Sequence, residues 1–192
     1  MDEISAAAVE LHEWLSSRGI THFFIGGIAA QHWGEARQTG DVELCAIVPA
    51  EGEADFVADV LGHFVSRMDD PAEFARQARM LMVVSSSGCP VDIALAGTGF
   101  EEQAAAHTFD LEVLPGKSIP ICSAEDLVIY KALAGRPKDV FDLQAIVGAQ
   151  GPDLDVRRVR RLLRMLCQAI EDDEPLRLFN QAWQSYGPQT GN

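Results

Sequence analysis

A chain of 192 residues has room for one domain, or one domain with a small appendage, and its 47% hydrophobic residues argue against a disordered polymer. Its formal net charge of −14 excludes a general nucleic-acid binder, which needs a positive field, though not an RNA held on a local basic patch. Cys45, Cys89, Cys122 and Cys167 stand at no zinc-type spacing, Met1-Asp2-Glu3 is the wrong start for a secretory or transit sequence, and no apolar run nears the roughly 20 residues of a membrane span, so a cytoplasmic protein with reduced thiols and no membrane partner is expected.

Residues 3–18 place Ile4, Ala7, Ala8, Leu11 and Leu15 at helical spacing, with Trp14 in the core, His12 on the surface and Arg18-Gly19 as the stop. Phe23, Phe24 and Ile25 suit a buried strand. Gly26-Gly27 follows at once and lets the backbone turn sharply and approach a ligand. Residues 28–33 have helical composition; the lone His32 in them is read as structural. Residues 41–48 alternate at their start as a strand does, with Asp41 and Glu43 on one face and Val42 and Leu44 on the other. Two carboxylates about 7 Å apart on one strand face repel each other and are costly to bury unpartnered. A bound Mg²⁺, which takes oxygen ligands, removes both problems. A solvated edge face removes them too.

After Pro49, residues 51–62 read as a helix with Phe56, Val57, Val60 and Leu61 inward and its acids in water. Residues 64–68 form a short strand, and Pro71 starts a helix that runs to about Arg76 or Arg79. Residues 80–85 and 90–96 make a hairpin around Ser86-Ser87-Gly88-Cys89. Asp92 interrupts its apolar second strand and needs either a partner or an edge facing water. Residues 98–106 are helical, and residues 109–114 and 118–121 form a second hairpin around Pro115-Gly116-Lys117. Ser123 then caps a helix, with Asp126 three residues on as a weak capping box. That helix carries Lys131; the run 136–143 follows, with Asp139 and Asp142 on one helical face. Residues 154–186 give two helices with Val156, Val159, Leu162, Leu163, Leu166 and Ile170 as a buried stripe. Arg157, Arg158, Arg160, Arg161 and Arg164 form a basic cluster that suits a polynucleotide backbone, the protein's own acids or a partner equally well.

The pattern Gly26-Gly27-x-Ala29 through Arg37-x-Thr39-x-Asp41-Val42-Glu43-Leu44 resembles the signature of the nucleotidyltransferase superfamily, of polymerase-β-like fold. It looks most like the AbiEii-type abortive-infection toxin branch. Lys131, Arg136, Lys138, Asp139 and Asp142 match a second motif of that branch, and the resemblance covers roughly residues 20–147. One departure is Glu43, where the branch usually has Asp; the longer arm matters because Mg²⁺ is strict about geometry.

The resemblance implies an α/β nucleotidyltransferase core over residues 1–122, a mixed sheet flanked by helices, with a C-terminal helical region, 123–192, packed on it. It implies Mg²⁺- or Mn²⁺-dependent transfer of a nucleoside monophosphate from an NTP to an acceptor: an RNA end, a protein hydroxyl or a small molecule. Asp41, Glu43 and Asp92 would bind two metal ions. Gly26, Gly27, Arg37, Thr39, Lys131 and Arg136 would hold the nucleotide, with Lys131 on its phosphates and Asp139 orienting a cation or serving as a base. Ion pairs on a helix surface are the plainer account of the Lys131 cluster. The branch also implies a toxin–antitoxin or defence setting with an antitoxin partner. Against all of this stands a nucleotide- or partner-binding module that keeps the fold and has lost catalysis.

Overall fold

The computed structural model describes residues 3–35, 38–96 and 99–188. The chain forms two compact units: Met1–Ile28 with Gln38–Cys122, and Ala29–Arg37 with Ser123–Asn192.

The first unit is built on a seven-stranded mixed sheet. Helix α1 (Glu3–Ser17) buries Ala7, Ala8, Leu11, Trp14 and Leu15. It ends at Gly19, whose φ of 68° is the left-handed conformation glycine adopts without strain. Strand β1 (His22–Phe24) leads into α2 (Gly26–Trp33), then β2 (Val42–Ile47). A 3-10 turn at Ala50–Gly52 precedes α3 (Glu53–His63). β3 (Val65–Ser66) and α4 (Pro71–Ala78) follow, α4 capped by the Asp70 side chain accepting from Glu73 N, with Pro71 in its first turn. Then come β4 (Met80–Val84), β5 (Pro90–Ala96), α5 (Gly99–Ala105), β6 (Phe109–Leu114) and β7 (Lys117–Ile121).

The strand order is β3-β4-β5-β2-β1-β7-β6. β2 and β5 form its central parallel pair, with β1 antiparallel to β2 and β4 antiparallel to β5. On β4 and β5, Leu81, Val83, Val91, Ile93 and Leu95 are buried, while the alternate residues, Met80, Met82, Asp92 and Ala94 among them, are half-buried. Period-two alternation thus gives the sheet one dry face and one that polar groups can reach. Each fully buried Phe, Leu or Ile contributes about 1.5–3 kcal/mol of apolar transfer; Phe23, Phe24, Leu44, Leu81, Ile93 and Ile121 are such residues here.

The second unit is helical: α6 (Ala124–Ala134), α7 (Pro137–Gln150), α8 (Val156–Ile170) and α9 (Glu174–Tyr186), together with the end of α2. Ser123 caps α6 by accepting from Asp126 N at 3.1 Å, and Gly135, at φ 61°, closes it before Pro137 opens α7. Gln150 Nε2 donates to Trp33 O at 2.7 Å. Leu127, Ile129, Leu143, Ile146, Val159 and Phe179 are fully buried.

Three sequence expectations are corrected. Helix α2 begins at Gly26 and not at residue 28, so that Gly26, at φ 62°, makes the sharp turn and Gly27 already lies in the first helical turn. Ile170 is 52% exposed, being the last residue of α8, and Cys167 takes its place in the stripe. His12 is half-buried rather than a surface residue, its Nδ1 lying 2.9 Å from His22 Nε2. All four cysteines are buried as thiols. No helix among the described residues is long and apolar enough to cross a membrane.

Candidate functional site

In the first unit, the acids that the sequence singles out sit where β2 and β5 run side by side. Their register pairs Glu43 with Asp92 as direct parallel partners. Adjacent strands lie about 4.8 Å apart, and paired residues project to the same face. Two carboxylates so placed repel each other unless positive charge or donors lie between or beside them. Met82 on β4 completes the row as the partner of Asp92.

Each acid has a donor. Gly27 N–H donates to Glu43 Oε2 at 3.2 Å. The amide belongs to the first turn of α2, where helix N–H groups lack intrahelical partners and the dipole favours a negative charge. β1 and β2 are locked here as well, Ile25 N donating to Glu43 O at 2.9 Å. Gly26 has φ 62°, and a Cβ there would overlap the Glu43 carboxylate. A Cβ on Gly27 would overlap the Thr39 side chain. The two glycines are therefore required locally, one for Glu43 and the other for Thr39. Thr39 Oγ1 in turn donates to Asp41 Oδ1 at 3.0 Å. Asp92 Oδ1 accepts from Arg67 Nη2. The sequence reading missed Arg67 altogether. It follows a two-residue strand and bears no motif, and only the order β3-β4-β5 shows that it can reach Asp92. Arg37, expected on the phosphates, lies outside the described residues.

The donor set suits a hard divalent cation in kind, since Asp41, Glu43 and Asp92 offer carboxylate oxygens and two of them are in register. Among the described residues no three His, Cys, Asp or Glu side chains converge closely enough to hold a metal ion. A cavity of about 510 Å³ opens beside Thr39 and Gly40, lined also by Glu3, Ile4, Gly88, Cys89 and Pro90.

The second cluster lies in the second unit. Lys131 is only 5% exposed. Its Nζ is 3.0 Å from Asp139 Oδ1 and 2.8 Å from Asp142 Oδ2, both carboxylates being buried. Arg136 Nε reaches the other oxygen of Asp139 at 2.5 Å from a more exposed position. Burial alone would raise the Asp139 pKa; the hydrogen bonds from Arg136 and Lys131, with their charges, outweigh it and hold the group below its ordinary value. Lys138 is exposed.

Of the basic cluster, Arg158 pairs with the fully buried Asp126 at 2.7 Å, and Arg160 donates to Asn180 Oδ1 at 2.9 Å while lying over the Phe179 ring. Arg157, Arg161 and Arg164 remain exposed on one side of α8.

No protein-family model matches the chain, and no curated protein matches it. Solved structures do. An antigenic nucleotidyltransferase-like protein from Paracoccidioides brasiliensis is similar at TM-score 0.56 and 16% identity, over 97% of this chain and 94% of that one. The antibiotic-resistance factor ANT(2'')-Ia is similar at TM-score 0.53 and 14% identity, over 87% and 93%. The lincosamide antibiotic adenylyltransferase LnuA, lincomycin-bound, is similar at TM-score 0.51 and 11% identity, over 73% and 94%. At these identities the likeness is one of fold: a mixed α/β architecture of nucleotidyltransferase type.

Proposed function

We propose, on the premise of that nucleotidyltransferase fold, that the chain transfers a nucleoside monophosphate from an NTP to a hydroxyl acceptor and releases pyrophosphate. The observation that carries the reading is the pairing of Glu43 with Asp92 beside Gly26-Gly27. Asp41 and Glu43 would hold the divalent cation. When bound, Mg²⁺ would supply the positive charge that polarises the α-phosphoryl group and stabilises the leaving pyrophosphate. Thr39 orients Asp41 through its hydroxyl. The first-turn amides of α2 suit phosphate oxygens, which would share or take over the donor now held by Glu43. The acceptor is an RNA end, a protein hydroxyl or a small molecule; ANT(2'')-Ia and LnuA, by name an antibiotic-resistance factor and an antibiotic adenylyltransferase, favour the small molecule. A toxin with an antitoxin partner is the setting that the AbiEii resemblance adds.

One observation favours a second reading, a nucleotide-binding module without turnover: each of the three carboxylates already has a donor within the protein. Isothermal titration of each NTP with Mg²⁺ tests the site, using the natural protein and Asp41→Asn with Glu43→Gln. Mg²⁺-dependent binding that is lost in the double variant is expected. Failure of every NTP to bind the folded natural protein refutes the transferase reading. Transfer of label from an α-³²P-NTP to an acceptor then separates the enzyme from the module.

A further inference from the structure

Helix α8 concentrates positive charge. Its 15 residues hold five of the chain's 15 Lys and Arg, all of them arginine, and none of its 29 Asp and Glu. Two of the five are engaged within the second unit, Arg158 on the buried Asp126 and Arg160 on Asn180. Arg157, Arg161 and Arg164 are exposed, and among the described residues no ion pair or side-chain hydrogen bond engages them. At 3.6 residues per turn they share with the exposed Gln168 a sector about 60° wide, and the rise of 1.5 Å per residue spreads the three over roughly 10 Å of helix.

This placement does nothing for the helix itself. The positions three and four away from Arg161 hold Arg157, Arg158, Arg164 and Met165, and like charges at those spacings destabilise. Arg157 stands in the first turn, where the macrodipole disfavours a cation. The apolar face of α8 is already buried through Val159, Leu162, Leu163 and Cys167, so the helix has none to lay into a lipid surface. A protein interface concentrates its binding in a buried centre of aromatic and apolar anchors. The line from Arg157 to Gln168 has no such centre: Met165 flanks it, and Ile170 lies on the far side of the helix. An extended row of phosphates does fit. Guanidinium forks bind phosphate oxygens bidentately, and Gln joins Arg among the side chains that contact nucleic-acid backbones. We infer that Arg157, Arg161, Arg164 and Gln168 form a docking surface for the phosphodiester backbone of a polynucleotide. Because the chain as a whole carries −14, the attraction is confined to this line, and binding is modest, indifferent to sequence and steeply dependent on salt. The inference goes beyond the transferase reading and does not depend on it.

The test is the fluorescence anisotropy of a fluorescein-labelled single-stranded RNA of about 20 nucleotides, titrated with the full chain between about 50 and 200 mM NaCl. Three phosphate contacts give a slope of about −2 in log affinity against log salt, so affinity is expected to fall about twentyfold across that range. Replacing Arg157, Arg161 and Arg164 together by Gln is expected to lower affinity more than about tenfold at the lowest salt, with the fold checked by circular dichroism. Unlabelled RNA should displace the probe, and poly-L-glutamate matched for charge should compete at least about tenfold more weakly, its charges being less dense. Displacement by polyglutamate as readily as by RNA assigns the face to an acidic protein and overturns the inference. No binding by the natural protein at the lowest salt, or equal binding by the triple variant, overturns it too, and each of these outcomes leaves the transferase reading standing. Should the triple variant fail to fold, Arg161→Gln alone decides: the slope becomes shallower by about 0.7 if the surface is as described, and an unchanged slope overturns it.

Discussion

Replacing Lys131 with Met tests whether its buried ion pairs are the chief task of that residue. The ammonium is 5% exposed and lies 3.0 and 2.8 Å from two buried carboxylates. Met keeps much of the volume and removes the charge, so Asp142 loses a cation in a dry site while Asp139 retains Arg136. Breaking a buried pair from one side costs about 3–5 kcal/mol, because the surviving charge stays desolvated. At about 2–4 °C per kcal/mol for a chain of this size, Tm falls by roughly 10 °C. Circular dichroism at 222 nm during thermal melting reads the loss. Adding Asp142→Asn to Lys131→Met removes a buried charge that has lost the ammonium and is expected to recover part of it. The pH dependence has a definite sign. The folded pKa of Asp139 is lowered, so its stabilisation is present above the unfolded value, about 3.9, and is lost as pH falls through the folded one. Lys131→Met should flatten that acid limb. A Tm within 2 °C of natural would refute the reasoning. If NTP affinity survives while stability drops, Lys131 is a structural residue and not a phosphate ligand.

Three further outcomes are expected. Gly26→Ala forces a side chain into the left-handed region at a cost of about 1–2 kcal/mol and displaces Glu43; Mg²⁺-dependent NTP titration should show binding lost, and natural affinity in that variant would argue against the site. Burial lowers the pKa of His22, the Ile20 carbonyl opposing it and His12 adding to it. The unfolded chain therefore takes up protons first, stability falls as pH drops from about 6.5 through the folded value, and a Tm–pH series should show His22→Gln with a shallower slope between pH 7 and 5. Replacing Arg157, Arg161 and Arg164 together by Gln removes three exposed charges from α8, and urea unfolding should change by less than about 0.5 kcal/mol per site.

The local signals that the sequence carries are those set by near neighbours in the chain. Helix starts at Pro71 and Ser123 show because capping needs only a few consecutive residues. Asp41, just before β2, and Glu43 within it show because alternation has period two. What depends on strand order does not show. That Glu43 faces Asp92 follows from a parallel pairing across 49 positions of chain, and Arg67 meets Asp92 only because β4 lies between β3 and β5. The extra methylene of Glu43 reads in the sequence as a departure from a motif; in the fold it ends on the amide of Gly27. Lys131, Asp139 and Asp142 are legible as a cluster, but their burial is set by the packing of α6 and α7, which no short window of sequence contains.

The buried thiols offer a built-in clock. Cys45, Cys89 and Cys122 belong to the first unit and Cys167 to the second. A sheltered thiol reacts with an alkylating reagent only when its surroundings open, so its labelling rate reports the population of that opening. Mass spectrometry of peptides alkylated for increasing times would therefore read the breathing of the sheet and of the helical unit separately, in one sample and without introducing any probe.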